Sequence, residues 1–276
     1  MAISMASLRR GGEIKPPIIL AYSTHGLGKT SFAAGAPDTV FLQTEDGLGQ
    51  LDVPTFGVLK TFEDVTDAIR TLYNEDHPFK NVALDSADHL EPLVWAETVR
   101  RNNETSQQKW VDIESPGYGR GYAATADVWR ELLSTLKALR DDRGMGVTII
   151  AHSETKQVKA PDVEAPYDRY QPKLHKIASA LLQEVADCVF FMNYRVSILK
   201  DNPKDANSRA RGVGGGVRVL YTEERPTHLA KNRYRMPQQI SLPDNPEMMW
   251  SAVAQHIPFY NKAANVAETK EMSSNG

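Results

Sequence analysis

Ser23-Thr24-His25-Gly26-Leu27-Gly28-Lys29-Thr30 follows the apolar run Pro17 to Tyr22 and reads as a strand that opens into a phosphate-binding loop. The glycines let backbone N–H groups close around phosphates, Lys29 can reach the β and γ oxygens, and the Thr30 hydroxyl is placed to ligate Mg²⁺. Ser23 stands where the G-x-x-x-x-G-K-[ST] pattern has its first glycine, so the surrounding chain has to carry part of the reading. The expected ligands are ATP and Mg²⁺, held by these eight residues.

Outward from that loop, short apolar runs alternate with helical patterns. Ile18 to Ala21, Thr39 to Leu42, Val82 to Leu84, Val147 to Ala151 and Cys188 to Met192 read as strands of a parallel sheet, which makes the class α/β. Thr61-Phe62-Glu63-Asp64 resembles a capping box, opening a helix to about Tyr73. A second helix is expected from about Asp88 to Arg100. Val128, Leu132, Leu133, Leu136 and Leu139 recur at helical spacing, so a third runs from about Ala123 to Arg140 and ends before Gly144. Two polar segments, Asn102 to Tyr122 and Ser153 to Pro172, read as long functional loops. Val196 to Tyr221, in which Val213 alone interrupts Gly212 to Gly216, reads as a C-terminal β-hairpin with a mobile tip. The expected organisation is an extension over 1–16, one core over 17–259 and a polar, fraying tail over 260–276.

The 276 residues, 41% of them hydrophobic, can bury the core of one large domain. Cys188 is the single cysteine, which excludes a disulfide framework or a cysteine zinc site within one chain. No run of eighteen apolar residues occurs and the first thirty residues lack a signal-peptide pattern, so a cytoplasmic protein without membrane contact is expected. A net charge of -3 does not advertise nucleic-acid binding, and any such surface must be local. Cations do cluster at Arg100, Arg101 and Lys109, at Lys156 and Lys159, and at Arg195, Lys200, Lys204, Arg209, Arg211 and Arg218; each cluster alone reads as a solvated face.

Separated motifs converge on the loop. Asn81-Val82-Ala83-Leu84-Asp85-Ser86 is an apolar strand ending in the carboxylate expected to hold Mg²⁺ through its water shell. Glu45 ends the preceding strand, and carboxyl ends of neighbouring parallel strands meet at the ligand crevice. There it can orient and deprotonate the attacking water; the alternative is a surface glutamate beginning a turn at Asp46-Gly47. His152 follows the strand Val147 to Ala151, where it can sense the γ-phosphate, or merely cap the strand.

Together with Lys231-Asn232-Arg233-Tyr234, these motifs resemble the RecA-like ATPase core of RadA-type proteins and hexameric helicases, whose K-N-R-F-G motif is similar. The resemblance implies that Lys231 and Arg233 reach a neighbouring subunit's γ-phosphate and stabilise transition-state charge, although Tyr234 and Arg235 depart from the motif. Gly117-Tyr118-Gly119-Arg120-Gly121-Tyr122, Tyr167 to Lys176 and Ala186-Asp187-Cys188-Val189 look like phage-encoded ATP-binding proteins of this superfamily, among them core-only single-strand annealing proteins. The two polar segments then map onto DNA-binding loops. Arg100, Arg101, Lys109, Arg120, Lys156, Lys159, Arg169 and Lys173 are the implied phosphate contacts. Trp110, Tyr118, Tyr122, Tyr167 and Tyr170 offer stacking surfaces, set among the acidic Asp112, Glu114, Asp162 and Glu164.

The implied protein is a DNA-stimulated ATPase of phage recombination, annealing or repair. It would assemble as a homo-oligomer with ATP at subunit interfaces, with single-stranded DNA and a single-strand-binding protein as candidate partners. The rival is a regulatory ATPase with a protein client and no DNA contact. A GTPase is disfavoured, because Asn202-Pro203-Lys204-Asp205 has the wrong order for a guanine-reading Asn-Lys-x-Asp.

Overall fold

The computed structural model of the protein describes residues 13–159, 165–200 and 210–261. In chain order its elements are β1 (Ile18–Ser23), α1 (Lys29–Ala34), β2 (Thr39–Gln43), β3 (Thr55–Val58), α2 (Phe62–Asn74), β4 (Asn81–Asp85), α3 (Ala87–Thr105) and α4 (Arg120–Arg143). There follow β5 (Gly146–Val158), β6 (Tyr167–Pro172), α5 (Lys176–Val185), β7 (Cys188–Lys200), β8 (Ala210–Tyr221), β9 (Lys231–Asn232), β10 (Gln239–Leu242) and α6 (Pro246–Ala254).

One sheet organises them in the order β10-β8-β7-β1-β5-β4-β2-β3. From β7 to β3 every neighbouring pair is parallel, whereas β8 and β10 add to the β7 side antiparallel. The fold is thus α/β with a mostly parallel sheet. β1 sits between β5 and β7, with Ser23 opposite His152 and Tyr22 opposite Phe191. It is buried along its whole length, which is why it reads as unbroken apolar sequence instead of an alternation.

Alternate β1 residues serve two cores. Ile18, Leu20 and Tyr22 pack with Leu90, Trp129, Leu132 and Leu182 of α3, α4 and α5. Ile19 and Ala21 face Phe32 of α1 and Met249, Trp250 and Val253 of α6 on the other side. The Thr61 capping box is present: its hydroxyl accepts from the Asp64 amide and the Asp64 carboxylate accepts from the Thr61 amide. α6, which sequence reading did not place, starts on Asn245, whose side chain accepts from the Met248 amide at 3.0 Å, and has Pro246 in its first turn.

Both supposed loops need correction. β5 continues past the sheet to Val158 and pairs antiparallel with β6, from Ser153 opposite Pro172 to Val158 opposite Tyr167. Ser153 to Pro172 is therefore a two-stranded ribbon, apart from 160–164, which lie outside the described residues. A ribbon that projects from the sheet needs no apolar face, so its sequence looks like a loop. In the other segment, α3 runs on to Thr105 and α4 begins at Arg120, leaving only 106–119 irregular. The hairpin of β7 and β8 is as expected. However, Gly212 and Gly214 lie within β8, opposite Ile198 and Val196, and not at its tip. The tip (201–209), the extension up to residue 12 and the tail from 262 lie outside the described residues. Among the described residues no helix is long and apolar enough to cross a membrane.

Candidate nucleotide site

Gly26 and Gly28 have φ of +76° and +87°, left-handed values that explain glycine at both positions as the chain turns from β1 into α1. Inside the turn the buried Lys29 Nζ donates to Ser23 O at 3.3 Å, Ser23 Oγ at 3.3 Å and Thr24 O at 3.1 Å. Burial lowers the Lys29 pKa, with Asp85 the strongest opposing influence. An ammonium held in a dry loop only by carbonyls and a hydroxyl is well suited to take phosphate oxygens instead. Thr30 Oγ1 donates to Asp85 Oδ2 at 2.8 Å. Burial pushes the Asp85 carboxyl upward, while the Thr30 hydrogen bond and Lys29 oppose that. A hydroxyl and a carboxylate in contact, both hard oxygen donors, fit Mg²⁺. The cavity between them, about 300 Å³, is also lined by His25, Glu45 and His152.

One backbone bond and two made by the Thr44 hydroxyl weld the strand ends that present these groups. Thr44 N donates to Asp85 O at 2.8 Å, Thr44 Oγ1 to Ser86 O at 2.7 Å, and Ser86 N back to Thr44 Oγ1 at 2.9 Å. Glu45 is thereby carried to the same rim as Asp85. His152, at the matching point of β5, is held by Asp88: its amide and its Nδ1 each lie 2.9 Å from that carboxylate. Burial alone would raise the Asp88 carboxyl, but the hydrogen bonds from the His152 ring and amide outweigh it and hold it well below the usual range. The His25 ring stacks on His152 at 4.0 Å, and the neighbouring imidazole lowers the His25 pKa. His89 Nδ1 lies 3.3 Å from Glu45 Oε2 and 2.9 Å from Ser86 Oγ. Among the described residues, Glu45, His89 and His152 bring ligand atoms within 4.8 Å of one another. Asp88 and His89 were not picked out from sequence; an acidic first turn after the Asp85 strand was the available signal.

Lys231 and Arg233 are not brought to this rim. β9 pairs with the start of β7, Asn232 opposite Cys188, at the far end of the sheet. Lys231 Nζ donates to the carbonyls of Gln183, Glu184 and Ala186 that close α5, and Arg233 pairs with Asp187 at 2.9 Å. Within one chain they serve that helix end.

The candidate phosphate contacts divide. Arg100 and Arg101 lie about 20 Å along α3 from its start and pair with Glu97, Glu104 and Glu131. Arg169 pairs with Glu224 and Lys156 with Glu154, whereas Lys109 and Arg120 donate to the carbonyls of Asn103 and Pro116. Lys159 and Lys173 are exposed. Of the aromatics, Tyr170 stacks on Phe191 in the core, Tyr122 stacks on His175 at 4.5 Å, and Tyr118 projects fully into solvent.

A glycine loop between the central strand and α1, with Lys29, Thr30 and Asp85 converging on it, defines a P-loop nucleotide-binding protein of the α/β class. Residues 15–234 match the AAA domain family, and the chain belongs to that family. It is thus a P-loop ATPase domain. No curated protein sequence matches it. Among solved structures, the crystal structure of the RadB recombinase is similar with a TM-score of 0.46 and 14% identity, covering 86% of this chain and 91% of that chain.

Proposed function

We propose that the protein hydrolyses ATP on single-stranded DNA, as a homo-oligomer with nucleotide at its subunit interfaces, in recombination, annealing or repair of the kind phages encode. Lys29 binds the phosphates and Thr30 and Asp85 hold Mg²⁺, which when bound neutralises charge on the transferring phosphoryl group. Glu45 orients the attacking water and takes its proton, a contribution of roughly 10²- to 10⁴-fold.

One observation supports the coupling to DNA above the others. His152 and the ribbon belong to one strand, β5, and the Lys173 amide, at the ribbon's return, donates to His152 O at 2.7 Å. A change at the phosphate rim is thereby linked to the ribbon through backbone. Beside it lies a cleft of about 420 Å³ lined by Trp95, Tyr122 and His175, by Lys156 and Lys173, and by the carboxylates of Asp88, Glu91 and Glu154. Aromatic faces next to cations suit single-stranded nucleic acid, at roughly 1 to 3 kcal/mol per stacked base.

Steady-state hydrolysis with and without single-stranded DNA, with Lys29→Ala as control, tests the reading. Stimulation that vanishes in the variant is expected. Lys29-dependent hydrolysis indifferent to DNA would instead favour the protein-client ATPase, a reading supported by the carboxylate partners of Arg100, Arg101, Lys156 and Arg169.

A further inference from the structure

The phosphate loop has a second cationic neighbour. A Cβ placed on Gly28 would lie 3.2 Å from Arg218 Nη1 and 3.5 Å from Met249 Cε. Arg218 stands on β8, opposite Tyr194 of β7 and Leu242 of β10, in the added antiparallel part of the sheet. That part is fixed to α1 through α6, where Phe32 and Trp250 rings lie 5.2 Å apart. The guanidinium is thus aimed at the loop by rigid elements.

We propose that Arg218 is a nucleotide-binding residue, a guanidinium supplied within the same chain to the phosphates held on the Gly28 loop; this rests on the reading that the loop binds a nucleoside triphosphate. Charge argues for it. The cavity is lined by two carboxylates, Glu45 and Asp85, and by one ammonium, Lys29, whereas a triphosphate brings several negative charges. Position argues for it too. Asp85 ends β4, Glu45 follows β2 and His152 lies within β5, all strands on one side of β1, while β8 lies on the other side beyond β7. Arg218 therefore approaches from the flank opposite the hydrolytic groups, where it reaches phosphates that ATP and ADP share. Arginine's planar fork suits phosphate oxygens better than an ammonium would.

Its present partner is easily exchanged. Arg218 Nη2 lies 3.3 Å from Asp244 Oδ1, and Asp244 is 93% exposed whereas Arg218 is 23% exposed. Such a surface carboxylate holds an arginine weakly, so a phosphate can replace it while the mostly buried stem keeps its direction.

Equilibrium binding of fluorescent ATP and ADP analogues with Mg²⁺ to the full-length protein tests this, with Lys29→Ala as reference. Arg218→Ala is expected to weaken both nucleotides by a similar factor, about 10-fold or more, with Arg218→Lys intermediate and Asp244→Asn unchanged or tighter. In turnover the loss should appear in KM and not in kcat. Binding lost in Lys29→Ala but retained in folded Arg218→Ala and Arg218→Lys overturns the role of Arg218 alone. Weakening by Asp244→Asn as large as that by Arg218→Ala overturns it as well, since the pair would then only brace the C-terminal segment. No binding by the unaltered protein overturns the loop reading itself.

Discussion

Asp88 takes both hydrogen bonds that His152 offers, from its amide and from its Nδ1, each at 2.9 Å. A carboxylate accepts only, so the Asp88 contact fixes a proton on Nδ1 and orients the ring. The same contact ties the first turn of α3 to β5, so the helix after the Asp85 strand and the strand that becomes the ribbon meet at one imidazole.

Asp88→Ala should therefore release the ring without altering a group that binds phosphate. Under the proposed function, nucleotide affinity stays within about 2-fold, while hydrolysis and its stimulation by single-stranded DNA fall together, by roughly 10-fold or more for a misoriented catalytic contact. His152→Gln should copy the loss of stimulation. Stimulation that survives both substitutions would sever the proposed link between rim and ribbon.

Asp85→Asn separates the ion from the fold. Its carboxylate is buried against Thr30 and its pKa is raised by burial, so the amide should leave the thermal midpoint without nucleotide unchanged or higher. Mg²⁺-dependent hydrolysis, in contrast, should fall by at least about 100-fold, as expected when an electrostatic anchor of the transition state goes. Melting curves with and without Mg-ATP read both effects: saturation at 100 times Kd stabilises by about 2.7 kcal/mol, and that gain should vanish in the variant.

These relationships were unequally legible in sequence. Lys29, Thr30 and Asp85 could be read because each is tied to a local pattern, a glycine turn or an apolar strand ending in acid, and the strand order then brings them together. The parallel strands were legible for the same reason: burial on both faces leaves continuous apolar runs such as Ile18 to Tyr22. The ribbon of Ser153 to Pro172 was not, since exposed antiparallel strands carry no such run and their pairing is set by β5 already leaving the sheet. Arg218 was hidden more deeply. It sits among other cations in sequence, and only the packing of α6 on α1 carries its strand to the loop.

Lys231 and Arg233 allow a decision on assembly. Both are at the end of the sheet opposite the phosphate rim, so a catalytic contribution requires a second copy. Arg233→Ala is expected to retain nucleotide binding and to lose turnover by about 10³-fold, the lower range for a trans-acting arginine. The defect should be relieved in mixtures with Lys29→Ala protein, which supplies an intact Arg233 to a neighbour's intact loop. Full turnover in Arg233→Ala would leave the residue its observed partner, Asp187, and nothing more.

Gly35 tests whether the C-terminal helix belongs to the nucleotide-binding core. A Cβ there would lie 2.0 Å from Pro246 O and 3.0 Å from Trp250 Cβ, and a backbone carbonyl at the start of α6 cannot swing aside. Gly35→Ala should cost about 1 to 3 kcal/mol by overpacking, lowering the midpoint by about 2 to 4 °C for each kcal/mol. Nucleotide affinity should fall with it, because α1 and Arg218 share that packing. An unchanged midpoint would mean that α6 is not seated there.

Glu91 supplies a pH dependence. It is buried, and its carboxylate accepts from the His175 amide at 3.1 and 3.0 Å. Burial raises its pKa from 4.5 to about 7; the His175 amide and Lys156 oppose the rise, and Asp88 and Glu154 reinforce it. Because the folded pKa is the higher one, the folded state holds a proton that the unfolded chain has released between pH 4.5 and 7. Its contribution to stability is therefore complete below pH 4.5 and is lost as pH rises through 7. Glu91→Gln is always neutral, keeps a carbonyl for the His175 amide, and escapes that loss. Thermal midpoints of the two proteins should converge toward pH 5 and separate on the way to pH 8, with the variant the more stable. Parallel pH profiles would place the carboxyl in its ordinary range, with water reaching it through the cleft beside Trp95 and Tyr122.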